Sequence, residues 1–299
     1  MRQTRQIDDV RALVREWRSA GETVGAVMTM GYLHPGHLSL VAAARQDCDR
    51  VLGTVFVNPL QFGPAEDYGT YPRDEARDLA MLAEAGCDGA FMPSVQTMFP
   101  NGERDPRDSR TTVHLQGLTE VLCGRSRPGH FVGVCTEVLK MFNILGVDIS
   151  YFGEKDYQQY LVIRAMVEDL ALPVRVVACP TLREPDGTAM SSRHAYLAPA
   201  ERAIAPRLYA TLSRTATALA TRGSGAAADL TDQACTDLLA QGFTAVEYVE
   251  VRDHRLAEPG PQTDPRTLRV FGAVHLGGTR LIDNVAVAEH QPDNPTEQP

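Results

Sequence analysis

Val24-Gly25-Ala26-Val27-Met28 runs straight into Thr29-Met30-Gly31-Tyr32-Leu33-His34-Pro35-Gly36-His37, and this stretch decides the fold. A short apolar run reads as a buried strand, the glycine-containing segment as a turn, and the residues from Pro35 onward as the opening of a helix. A strand end that feeds a helix N-terminus offers backbone N–H groups and a positive dipole to a phosphate. Two imidazoles three residues apart can donate to the same anion, and α/β folds bind their ligands at such strand ends. The blander reading gives one histidine to the helix cap and the other to the core; the strand–turn–helix context weighs against it.

Working outward, Val10, Leu13, Val14 and Trp17 repeat at helical spacing behind the candidate caps Asp8 and Asp9, and Gly21 ends that helix. Helix and strand then alternate: helix 38–46, strand 51–57, helix 74–84, strand 89–92, and later strand 149–152, helix 157–170 and strand 174–179. Alternation of this kind predicts a parallel sheet, here a Rossmann-like α/β domain over residues 1–181. From 182 the composition turns Ala-rich, with helices expected at 199–221 and 226–241. A strand at 245–251 and a hairpin, 267–275 and 279–287 around Gly277-Gly278, complete a smaller α+β domain over 182–288, expected to act as a lid. Residues 289–299 are polar and aperiodic, which predicts a disordered tail.

The 299 residues are 43% hydrophobic and 22% charged, with 38 acidic against 29 basic side chains and a net charge of −9. That balance argues against a general nucleic-acid or anionic-membrane binder. No apolar run reaches the roughly 18 residues of a membrane span, and the opening residues lead into acidic, amphipathic sequence, so the expected location is cytoplasmic. Six cysteines lie at long intervals with no C-x-x-C pair, which suggests neither zinc nor a disulfide framework.

Only two of the basic residues, Lys140 and Lys155, are lysine. Where a generic cation serves, the chain uses arginine, so a retained lysine suggests a compact ammonium at a tight phosphate site. Lys155 stands in Phe152-Gly153-Glu154-Lys155-Asp156-Tyr157-Gln158-Gln159, at an expected strand-to-helix turn, where it could neutralise charge on phosphates. The alternative is an exposed cap residue. Downstream, Ala189-Met190-Ser191-Ser192-Arg193 puts two hydroxyls and a cation on a polar loop. With H-x-G-H, this resembles the paired signatures of the nucleotidylyltransferase superfamily, whose members attack the α-phosphate of ATP and expel pyrophosphate.

The chain resembles, along almost its whole length, the pantothenate synthetases, or pantoate–beta-alanine ligases. Besides these motifs the likeness includes Phe56-Val57-Asn58-Pro59-Leu60-Gln61-Phe62, Glu66-Asp67, Tyr71-Pro72-Arg73, Arg127-Pro128-Gly129-His130-Phe131 and Arg280-Leu281-Ile282-Asp283-Asn284. The resemblance implies an ATP-dependent amide ligase that works through an acyl-adenylate, with pantoate and beta-alanine as substrates, and a homodimer. It implies catalytic roles for His34, His37, Lys155, Ser191, Ser192 and Arg193 around the phosphates. Thr29, Met30, Gly31, Asn58, Gly153, Asp156, Leu182 and Met190 would line the nucleotide site. Gln61 and Gln159 would hydrogen-bond pantoate beside Met28, Val134, Glu137 and Val138, and Asp78 would lie near Mg2+, which a polyphosphate leaving group requires. Plainer readings stay open: a turn at Asn58, solvated Gln61 and Gln159, an exposed helix residue at Asp78, and a structural loop at Arg127 and His130. A simple nucleotidylyltransferase and a silent nucleotide-binding protein are the competing functions.

Three positions depart from the usual family pattern: Met28 in place of proline, Glu137 in place of an aliphatic residue, and His194 in place of asparagine. A carboxylate in an apolar pocket is costly unless it meets a cation or donors. Either Glu137 points away from the pocket, or the pocket is rebuilt for a more polar or amino-bearing acid.

Overall fold

The computed structural model describes residues 1–64, 66–101 and 105–288. The tail expected at 289–299 lies outside the described residues. The chain divides into two units, Met1–Leu197 and Ala198–Pro299.

In the first unit, β1 (Arg2–Thr4), β2 (Val24–Thr29), β3 (Arg50–Val55), β4 (Gly89–Phe91), β5 (Ile149–Gly153) and β6 (Arg175–Cys179) form one parallel sheet, ordered β1-β4-β3-β2-β5-β6. Its helices are α1 (Ile7–Ser19), α2 (Pro35–Asp47), α3 (Glu75–Glu84), α4 (Val95–Met98), α5 (Leu122–Ser126), α6 (His130–Leu145) and α7 (Tyr157–Asp169). A parallel sheet covered on both faces needs strands that are apolar throughout, and β2 meets this with Val24, Gly25, Ala26 and Val27 all buried. Leu40, Val41 and Ala44 of α2 share one apolar cluster with Val27, Val51 and Tyr151. From β2 the chain proceeds to β3 and β4 on one side; from β5 it proceeds to β6 on the other. The strand order therefore reverses between the neighbours β2 and β5, and the crevice at such a reversal is where open α/β sheets take their ligands. The turn at residues 30–34 follows β2, and the one at 154–156 follows β5.

Several elements depart from expectation for identifiable reasons. Asp8 and Asp9 sit in the first turn of α1 rather than capping it, where they complement the helix dipole. Strand β3 stops at Val55, because Asn58 accepts a hydrogen bond from the Leu60 amide (3.1 Å) and folds Pro59–Gln61 into a tight turn. Helix α6 has no amphipathic stripe to betray it: Phe131, Val134, Thr136, Glu137, Val138 and Met141 are all buried. Its limits are two glycines in the left-handed region, Gly129 (φ 85°) and Gly146 (φ 59°).

The second unit contains α8 (Pro199–Ile204), α9 (Pro206–Arg222) and α10 (Ala227–Ala240), with the antiparallel strands β7 (Ala245–Asp253), β8 (Leu268–Leu276) and β9 (Thr279–Ala286) in sheet order β7-β8-β9. The single helix expected at 199–221 is two, because Pro206 cannot continue the helical hydrogen bonding. The Arg280–Asn284 motif lies on β9. Arg280 pairs with Glu247 on β7 at 2.8 Å, and Arg269 on β8 donates to Asn284.

The boundary falls at 197/198, not 181/182, because the loop 182–197 is fastened to the first unit. The Ser192 hydroxyl donates to the Tyr32 carbonyl (3.0 Å), Arg193 forks onto Asp67 (3.0 and 2.9 Å), and the Tyr196 hydroxyl donates to the Thr70 carbonyl (3.1 Å).

Candidate active site at the end of the parallel sheet

The turn after β2 is strained and held from two sides. Gly31 has φ 81°, and Tyr32, which carries a side chain, also lies in the left-handed region at φ 51°. A non-glycine residue there costs about 1–2 kcal/mol and persists only when its surroundings over-determine it. Asp78 on α3 supplies that: its two oxygens accept from the Tyr32 amide (2.8 Å) and the Leu33 amide (2.7 Å). On the other side Ser192 holds the Tyr32 carbonyl. A Cβ at residue 31 would stand 2.9 Å from Asp78 Oδ2, so glycine is needed for the close approach as well as for the dihedral. Asp78 is 1% exposed and is no solvated helix residue. Its carboxylate shapes the turn, and among the described residues it belongs to no cluster of three or more His, Cys, Asp or Glu side chains able to hold a metal.

His34 caps α2 and His37 lies one turn in, their rings 4.0 Å apart. The His34 ring folds over Gly36, where a Cβ would come within 2.9 Å of it and 3.5 Å of Met190. The His34 amide donates to Nδ1 of His37 (3.3 Å), which places the His37 proton on Nε2. Nδ1 of His34 is buried and has no hydrogen-bond partner. Burial, then His37 and then Lys155, lower the His34 pKa to about 3; burial and Lys155 lower that of His37 to about 4. Both rings are therefore neutral at pH 7, each with one N–H to offer. Buried groups of this kind, next to a cation and with an unpaired ring nitrogen, mark a place where an anion is expected.

Lys155 and Asp156 lie in the tight turn Glu154–Asp156 between β5 and α7, the ammonium 3.7 Å from the Asp156 carboxylate. Beside Gly153 there is open space, since a Cβ there would meet nothing within 4 Å. The Ser191 hydroxyl accepts from the Arg193 amide, and the Arg193 guanidinium, paired with Asp67, lies 5.7 Å over the Tyr71 ring. Met190 donates its amide to the Leu182 carbonyl, and Leu182 is one of the few large apolar side chains left exposed. His194 contacts Glu184 at 3.1 Å. Thr29 fixes the start of the turn: its hydroxyl donates to the Thr54 carbonyl (2.7 Å) and accepts from the Gly31 amide (3.1 Å).

Gln61 is held by residues whose spacing gives no hint of it. Buried Asn58 donates to the Gln61 side-chain oxygen and to the Gly133 carbonyl, both at 3.1 Å. Asn58 thus orients Gln61. The Gln61 carbonyl lies 2.8 Å from His130 Nδ1 and 3.2 Å from the Arg127 guanidinium, which is itself anchored on Glu66. The Gln61 amide contacts the Met30 sulfur at 3.0 Å, so the 59–61 turn touches the turn after β2. Of the adjacent glutamines, buried Gln158 is spent on structure: it accepts from the Cys123 amide and donates to the Leu118 and Val121 carbonyls. Gln159 has none of these bonds and is half-buried. Met28 is also half-buried, whereas Val134, Val138 and Glu137 are buried on α6.

A sequence model of the pantoate-beta-alanine ligases matches residues 2–286. Pantothenate synthetase 3 of Frankia alni is 57% identical over 283 residues, 95% of this chain and 96% of its own. The pantothenate synthetase of Dinoroseobacter shibae is 49% identical over 283 residues, 95% of this chain and 98% of its own. Among solved structures, the pantothenate synthetase of Thermus thermophilus superposes with a TM-score of 0.86 at 43% identity, covering 96% of this chain and 99% of that one. A pantoate-beta-alanine ligase from Francisella tularensis, complexed with an ATP species and beta-alanine, gives 0.79 at 30% identity, covering 96% and 98%.

Two outcomes are expected from this geometry. Asp78→Ala strands two backbone amides and lowers stability to urea by about 3 kcal/mol, while Asp78→Asn, which keeps an acceptor, loses less; an Ala variant as stable as the parent contradicts the assignment. The histidines make stability fall as pH drops. Their folded pKa values lie below the unfolded value near 6.5, so from pH 6.5 down to about 4 the unfolded chain binds protons that the folded one refuses. Urea denaturation at a series of pH values shows this slope, and His37→Gln flattens it; ring-proton NMR resonances of His34 and His37 titrating near pH 6.5 would refute it.

Proposed function

The chain belongs to the pantoate-beta-alanine ligase family, and we propose that it joins pantoate to beta-alanine through a pantoyl-adenylate, releasing pyrophosphate and AMP. The observation that carries this reading is the Ser192–Tyr32 hydrogen bond, which ties the Ser191-Ser192-Arg193 loop to the His34–His37 turn. Two phosphate-type motifs far apart in the chain thereby meet where the strand order reverses.

In the first step a pantoate carboxylate oxygen attacks the α-phosphorus of ATP. The bond from that phosphorus to the α,β-bridging oxygen breaks, and pyrophosphate leaves. In the second step the beta-alanine nitrogen attacks the acyl carbon, the bond to AMP breaks, and the amine gives up a proton to solvent. The residues assigned to the first step supply fixed dipoles and charge rather than proton transfer. Neutral His34 and His37 donate N–H groups to phosphate oxygens, and Lys155 and Arg193 offset the charge that builds on the departing pyrophosphate, helped by the hydroxyls of Ser191 and Ser192. Pre-organised donors of this kind act without reorganising during reaction, and the pairing of Arg193 with Asp67 supports that. The space beside Gly153, the exposed Leu182 side chain and Met190 suit an adenosine, with Asp156 at the helix end near the ribose. Gln61 and Gln159 are the proposed partners of the pantoate hydroxyls.

Magnesium enters this reading with the nucleotide. When bound it would neutralise phosphate charge, and the residue proposed to lie near it is Asp78. Asp78 already accepts from two amides of the turn, and among the described residues it belongs to no cluster of three or more metal-ligating side chains, so it suits a metal held mainly by the nucleotide. The reading also includes a homodimer in the cytoplasm, supported by the family resemblance. Among the described residues no helix is long and apolar enough to cross a membrane.

The test is ATP–pyrophosphate exchange with pantoate and magnesium and no amine. Lys155→Ala is expected to lower exchange by at least about 100-fold, the scale of losing one electrostatic stabiliser of a transition state, with no change in the urea midpoint. Unchanged exchange would remove Lys155 from the mechanism.

A further inference from the structure

Glu137 has no use in the chemistry above, yet the fold keeps a carboxyl where an apolar side chain would be cheaper. It is 8% exposed, and among the described residues no hydrogen bond or ion pair reaches it. Lys140, one turn on, lies 5.3 Å over the Phe99 ring instead of pairing with it, and Arg127 is taken by Glu66. Thr136 beside it is committed to the Val113 amide (2.9 Å). Burying most of a carboxyl without a partner costs stability, and a hydrogen-bonding ligand is one way to recover it; the Glu137 oxygens are not among the fully enclosed unpaired atoms, so they stay reachable.

The position of Glu137 on α6 indicates which ligand. Side chains on a helix lean toward its N-terminus, so Glu137 covers the turn before it, at Gly133. Gly133 is glycine because the 59–61 backbone already occupies the position a side chain would take. It sits so close to the 59–61 turn that a Cβ would come within 2.2 Å of the Leu60 carbonyl and 2.6 Å of the Gln61 nitrogen. Its carbonyl also holds Asn58, which in turn orients Gln61. Four residues on, Glu137 shares with Gly133 the face of α6 that packs on the Gln61 turn. Burial with no cation nearby pushes its pKa up to about 8, so near pH 7 it is a neutral acid that can both donate and accept.

We infer that Glu137 is a specificity-determining residue of the acid pocket: its carboxyl hydrogen-bonds a hydroxyl of the acid substrate and selects hydroxylated acids over analogues that lack that hydroxyl. The inference rests on the ligase reading, since it deepens the assignment of the acid site beside Gln61. A neutral carboxyl suits a neutral hydroxyl, and a site built to bond a hydroxyl discriminates far more strongly against its absence than an apolar pocket can.

The experiment measures amine-free ATP–pyrophosphate exchange with pantoate and with analogues lacking one or the other hydroxyl, for the parent, Glu137→Met and Glu137→Gln. Met fills a similar volume without polar atoms; Gln keeps a neutral donor and acceptor. The parent is expected to prefer pantoate over at least one deoxy analogue, Glu137→Met to shrink that preference by at least about tenfold through kcat/KM for pantoate, and Glu137→Gln to retain most of it. Relieved of a buried carboxyl, Glu137→Met is also expected to be no less stable to urea than the parent. An unchanged preference in Glu137→Met overturns the inference, and so does a Met variant that fails to fold, which would show a structural partnership. Absence of exchange with any of these acids in the parent overturns the ligase reading itself, which separates the two failures.

Discussion

The carboxylate of Asp78 is the constraint on which the site depends. The turn after β2 must leave the sheet edge, expose backbone and present two imidazoles within three residues. It does so by passing through two left-handed residues, one of them Tyr32. That conformation is unfavourable alone. Two charge-assisted hydrogen bonds from α3 offset the strain, and the Ser192 hydroxyl uses the Tyr32 carbonyl that the turn exposes. The result is a rigid corner joining β2, α2, α3 and the 182–197 loop, of which α2 and the loop carry residues assigned to phosphate.

Electrostatics within that corner follow from burial more than from paired charges. His34 and His37 are kept neutral by desolvation and by the nearby ammonium of Lys155, so the site has hydrogen-bond donors without the cost of further buried cations. Arg193 is instead held by Asp67, which fixes its planar fork before any ligand arrives. Under the proposed assignment, such a site is pre-organised for a polyphosphate whose charge shifts during reaction.

Much of this is legible in the sequence because it is local. The apolar run of β2 followed by its turn and helix, the amphipathic stripe of α1, and Lys155 in a chain almost devoid of lysine each carry their meaning within a few residues. The features that escape a sequence reading are long-range or hidden by burial. Helix α6 is buried over most of its surface, with only Asn143 exposed and Lys140 half-buried, so little of a polar face reveals its period. The services of Asp78 to Tyr32, of Asn58 to Gln61 and of Arg127 to the Gln61 carbonyl are pairings that no spacing encodes. Sequence places the unit boundary too early because the 182–197 loop is polar and irregular, like a linker, while its hydrogen bonds run back to residues 32, 67 and 70. Spacing alone does not separate Gln158 from Gln159, and only the family resemblance singles out Gln159; the hydrogen bonds of Gln158 mark it as the structural amide.

The central claim, that the assembled corner directs a carboxylate to the α-phosphorus of ATP, is tested most directly by isotope transfer. Pantoate labelled with oxygen-18 in its carboxylate is converted with ATP and beta-alanine, and the products are read by phosphorus NMR or mass spectrometry. The predicted result is one labelled oxygen in AMP and none in pyrophosphate. Label in inorganic phosphate, with ADP as the nucleotide product, would mean attack at the γ-phosphorus and would contradict it.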